Sequence, residues 1–139
     1  MKTSREKVLS SMPKRTFENF EKTLGQLQNF VALPIANDRD RAGIIQAFGF
    51  TYEQSWLAIQ KTVSAYGARA PTPKQAFSAA MKQGWISTAD EALWLKMIDD
   101  RNLTSHTYRQ ALADEVLERI VKSYLGQFES LLSRMRSST

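Results

Sequence analysis

Cysteine is absent from the 139 residues, and histidine occurs only once. The first absence excludes disulfides, thiolate nucleophiles and thiolate metal sites. No apolar run approaches the roughly 18 residues that a membrane helix needs. The opening residues, MKTSREKVLSSMP, lack an apolar centre and a small-residue cleavage site, so they do not read as a secretory signal. A cytoplasmic protein with no membrane association is the expectation. No stretch alternates strongly enough to be a β-strand, and no internal repeat is visible.

What remains is a soluble-type composition, 42% hydrophobic and 24% charged, in a chain long enough for one domain with a proper core. The formal charge of +5 suits either simple solubility or attraction to a polyanion, and the cations are spread along the chain rather than blocked together. Residues 1–13 read as a flexible leader closed by Pro13, and residues 14–136 as a single helical domain.

Five helices are legible from apolar spacing of three and four. Phe17, Phe20, Leu24, Leu27 and Val31 form the first stripe, which Pro34 ends. Asp38 is the expected N-cap of a second helix reaching about Tyr66, with Ile45, Phe48, Tyr52, Trp56, Ile59 and Val63 inward and Gly67 as its stop. Pro73 opens a third, carrying Ala76, Phe77, Ala80 and Met81 and ending near Gly84. Thr88 and Glu91 have capping-box spacing for a fourth. Leu112, Val116, Ile120, Tyr124, Phe128, Leu131 and Met135 line a fifth, from about Gln110 to Arg134. The predicted fold is all-α, an antiparallel four- to five-helix up-and-down bundle.

The single histidine sits in Asp100–Tyr108, DRNLTSHTY, an unusually polar end for a helix. If the fourth helix continues that far, Asp99, Asn102 and His106 share one stripe with Leu95 and Ile98. Arg101 and Tyr108 share another with Trp94, roughly 120–140° away. Polar groups there need partners or a wet cleft. The bland alternative is a helix-end histidine suited to the dipole, with Arg101 in a surface salt bridge. One straight helix does not aim Arg101 and His106 at the same small target. Either the helix ends between them, or a second copy of the chain supplies one partner across a symmetric interface.

RNLTSHTY matches the Arg-x4-His-x-Tyr motif of HEPN-domain proteins, in the branch called nucleotidyltransferase substrate-binding proteins. RDRAGIIQAFGFTYEQSW resembles that branch's second helix, TPKQAFSAAMKQGWI its proline-rich turn and third helix, and WLKMIDDRNLTSHTY its fourth. Gly49, where a larger and often acidic residue is expected, departs from the pattern, as does Leu57, where a basic one is common.

The resemblance implies a HEPN-like bundle that dimerises through the motif and acts as an RNase toxin without metal or cofactor. Its partner would be a minimal nucleotidyltransferase antitoxin, which joins it in a hetero-oligomer and transfers AMP to the motif tyrosine. Carried onto this chain, Arg101 and His106 would be catalytic and Tyr108 the modified residue. Asn102, Thr104 and Ser105 either orient the RNA strand or cap the helix. Asp99 is placed to orient the imidazole. The alternative function is a non-catalytic, substrate-binding accessory subunit of the nucleotidyltransferase.

Overall fold

A computed structural model describes residues 14–106 and 109–138, leaving out the His106 side chain. Helix α1 (Lys14–Ala32) buries Phe20, Leu24 and Leu27. Their four-then-three spacing keeps them on one face. Helix α2 (Asp38–Ser64) is capped one residue earlier than expected. Asn37 is the N-cap, and its Oδ1 accepts the Asp40 amide at 2.9 Å. Asp38 instead opens the helix and pairs with Arg41 at 2.8 Å. An acid in the first turn complements the helix dipole.

After α2 the chain turns at Gly67, whose φ of 91° suits a residue without Cβ. Helix α3 (Pro73–Lys82) begins on its proline, with Thr72 accepting the Gln75 amide. Gly84 reverses the chain at φ 80°. The capping box expected at Thr88 is replaced by a short 3-10 turn, Thr88–Asp90, capped by Ser87 through the Ala89 amide. Glu91 then opens helix α4 (Glu91–His106). Helices α5 (Gln110–Arg119) and α6 (Leu125–Ser137) form one rod, joined by a π-helical turn, Ile120–Tyr124. The described residues thus form five rods and no strand.

The π-turn answers a phase problem. Val116, Ile120, Tyr124 and Phe128 are all buried, each four residues after the last. In an α-helix each step of four drifts about 40° around the axis. One wider turn, with the Leu125 amide bonded to the Ile120 carbonyl, takes up that drift.

Phe128 is the centre of the core. Its ring meets Phe20 of α1 edge-on at 6.4 Å, Phe48 of α2 at 6.1 Å and Trp94 of α4 edge-on at 5.9 Å. Phe77 of α3 packs on Trp94 at 4.6 Å. One side chain therefore ties the last rod to α1, α2 and α4, and through Trp94 to α3. Trp94 and Trp85 are buried with their indole N–H groups donating to Gln127 and Ser138. Both belong to the core, and Trp56 is half-buried against it. Helix α2 lies centrally, packed on α1, α3, α4 and α5. At its start Arg41 also reaches Asp114 at 3.5 Å and Gln110 donates to Asp38, which holds α5 beside it.

Candidate functional site at the end of helix α4

Helix α4 has two faces, set by where its side chains fall around the axis. Leu93, Trp94, Met97, Asp100, Arg101 and Thr104 lie on an arc of roughly 120° and are buried or half-buried. Leu95, Asp99, Asn102 and Leu103 lie on the opposite arc, all exposed. Leu95 is 39% and Leu103 46% accessible, so two large apolar groups flank the polar ones in solvent. That face offers hydrogen-bonding groups framed by apolar surface.

Arg101 does not extend into solvent. Its side chain is 25% accessible and lies back on α2, with Nε 3.6 Å from a Glu53 oxygen. The other Glu53 oxygen accepts the Trp56 indole N–H at 2.9 Å, which fixes the carboxylate. Among the described residues no acceptor engages the two Nη groups, which leaves a guanidinium fork for an oxyanion. Burial and the nearby Glu53 charge push the Tyr52 phenol well above its ordinary value, while Arg101 opposes that rise.

The buried carboxylate of this region is Asp100, with no accessible surface. Arg119 grips it through Nε at 2.7 Å and Nη2 at 2.9 Å, and the Tyr124 hydroxyl donates to it at 2.5 Å. Lys96 stands 4.0 Å away. The Asp100 hydrogen bond holds the Arg119 proton more tightly than usual. Burial, then the bond to Asp100, raises the Tyr124 phenol. Arg119 immediately precedes the π-turn and Tyr124 is its last residue, so the distorted stretch of the last rod is the one that grips α4. Neither Asp100 nor Glu53 carries a role in the sequence reading. Glu53 stands inside the second-helix pattern, whereas Asp100 is identifiable only through partners 19 and 24 residues away.

Asp99 is exposed on the outer face. Asn102 is exposed too, and its carbonyl accepts the Ser105 hydroxyl at 2.9 Å. Thr104 donates to the Asp100 carbonyl at 2.9 Å. Both hydroxyl protons are thus spent on the helix itself. His106 is the last residue of α4. Tyr108 lies outside the described residues.

The helix is unbroken between Arg101 and His106. The two positions are therefore about 140° apart around the axis and about 7.5 Å apart along it. Of the two routes to a shared target, a helix end between them does not occur. No group of three or more acids and histidines suited to a metal is found among the described residues. Nor is any described helix long and apolar enough to cross a membrane.

An all-α bundle carrying Arg-x4-His on its fourth helix is of HEPN type. The profile of the "Nucleotidyltransferase substrate binding protein like" family matches residues 15–137, and the chain belongs to that family. It is 31% identical over 134 residues to "Probable ribonuclease HepT" of Haemophilus influenzae strain Rd, covering 86% of each. A crystal structure of a Thermus thermophilus protein, 32% identical, superposes with a TM-score of 0.76 over 84% of this chain and 98% of that one. A mutant MntA–HpeT toxin–antitoxin structure, 14% identical, gives 0.61 over 96% and 95%, a likeness of fold.

Proposed function

We propose that this chain is the HEPN toxin of a toxin–antitoxin pair, a metal-independent endoribonuclease acting as a homodimer. The observation that carries the reading is the unbroken α4, which separates Arg101 from His106 by about 140° on one copy. A two-fold partner laid across the α4 face between Arg101 and His106, which carries the exposed Leu95 and Asn102, brings the second group from the other copy. The H. influenzae relative's name supports the activity.

RNA brings its own nucleophile. The 2′-oxygen attacks phosphorus while the bond to the 5′-oxygen breaks, leaving a 2′,3′-cyclic phosphate. His106 takes the 2′-hydroxyl proton or protonates the departing 5′-oxygen, since imidazole titrates near neutral pH. Arg101 holds the phosphate through its Nη fork and offsets the charge that grows on it. A nucleotidyltransferase partner silences the pair by moving AMP from ATP to the Tyr108 hydroxyl, with pyrophosphate as the leaving group, which sets a bulky anion beside the cleft.

The test is RNA cleavage at pH 7 in EDTA. His106→Ala should lower the rate about 10²–10⁴-fold, and Arg101→Ala about 10²–10³-fold. Mixing the two inactive variants should restore part of the activity, because one cleft of the mixed dimer is then complete. Equal survival of RNA with wild type and His106→Ala sinks the nuclease reading. The family's description favours a second reading, an accessory subunit that binds substrate for the nucleotidyltransferase. That reading expects tight association with the partner and intact RNA. Co-expression with the neighbouring nucleotidyltransferase, followed by a mass spectrum of the Tyr108 peptide, tests the AMP transfer.

A further inference from the structure

Gly49 is the position where the sequence departs from the pattern of the family. Glycine is among the poorest helix formers, and Gly49 sits buried in the middle of α2. Its backbone gives no reason for it, since the positive-φ glycines among the described residues are Gly67 and Gly84. Three other glycines, Gly25, Gly43 and Gly126, would meet nothing within 4 Å if given a Cβ. At Gly49 a Cβ would stand 2.9 Å from Arg101 Cζ and Nη1 and 3.3 Å from Nε. The guanidinium therefore occupies the space a side chain would fill.

We infer that Gly49 is a positioning residue, the floor of a seat that holds Arg101 ready for the phosphate. Glu53, one turn along α2, is the wall of the seat, and Trp56 pins that wall in place. The seat engages Nε and one flat side of the group and leaves the Nη fork without a described acceptor. An arginine so held has less rotamer freedom to lose when an anion arrives. The inference rests on the reading of Arg101 as the phosphate-holding group.

A methyl at position 49 collides with the far end of a flexible side chain rather than with backbone. The guanidinium yields, and the helix does not. Gly49→Ala should thus fold with an unchanged or higher melting temperature while Arg101 leaves its seat. The Arg101 Nε–Hε resonance, assigned by its loss in Arg101→Lys, reports the seat directly in ¹⁵N-arginine NMR of the full chain. It should move in Gly49→Ala and in Glu53→Gln, which keeps the space and removes only the charge. In RNA cleavage, Gly49→Ala should lose about 100-fold, carried by kcat with KM little changed.

An unmoved resonance in both variants overturns the seat. A moved resonance with wild-type kcat overturns its catalytic importance. If wild type itself cuts no RNA, the nuclease reading fails, and the resonance alone then decides whether Gly49 and Glu53 hold Arg101.

Discussion

Asp100→Ala is the perturbation whose size the structure sets most closely. It removes three charge-assisted hydrogen bonds at once, two from Arg119 and one from Tyr124. The donors fare differently. Arg119 keeps 28% of its side chain in solvent and recovers water on release. Tyr124 has no accessible surface, so its hydroxyl is left with no acceptor in a closed core, at a cost of about 1–3 kcal/mol. Breaking a buried ion pair from one side costs about 3–5 kcal/mol in all. For 139 residues the unfolding entropy is about 0.29 kcal/mol per kelvin, so a loss of about 4 kcal/mol lowers Tm by roughly 14 °C. Urea titration and calorimetry at pH 7 measure both quantities. The triple variant Asp100→Leu, Arg119→Met, Tyr124→Phe removes the charges together and should regain most of the loss. A loss below about 1 kcal/mol for Asp100→Ala, or no recovery in the triple variant, would refute the reasoning.

Replacing the N-cap, Asn37→Ala, should cost about 1 kcal/mol, or about 3–4 °C in a thermal melt, because the Asp40 amide loses its acceptor. Alkaline stability follows from Tyr52 and Tyr124, whose ionisation is pushed up by burial. Both phenols ionise near pH 10 when unfolded but stay protonated in the folded chain. Their contribution is complete below that pH and is lost as pH rises. Each should steepen the fall in urea stability above pH 10 by about 1.4 kcal/mol per pH unit, and Tyr124→Phe should remove half of that added slope.

The helices are legible in the sequence because a single face of each is buried, so their apolar residues recur with the helical period. Phe20, Leu24 and Leu27 in α1, or Val116 through Met135 in the last rod, declare themselves that way. Boundaries are legible only to within a residue or two. Asn37 and Asp38 are both good caps, and only the bond to the Asp40 amide distinguishes them. The motif on α4 is visible from residue types, but its supports are not. Asp100 looks like any acid beside Asp99, although about 100° of helix rotation puts one in the core and the other in water. Its partners lie on another rod, and no local spacing announces a contact of that kind. Gly49 shows as a departure from pattern, and its meaning needs the side chain that lies over it.

The wide turn at Ile120–Tyr124 works as a phase adjuster with one tooth. Deleting one residue there would let the rod close into plain α-helix with Phe128 still in phase with Val116, whereas one more inserted residue, wound as α-helix, would swing everything after it by about 100°. Either Phe128 would leave the aromatic cluster or Arg119 and Tyr124 would lose Asp100. Insertions therefore belong in the connections at 33–37 and 65–72, where the chain can absorb them without retiming the core against the motif.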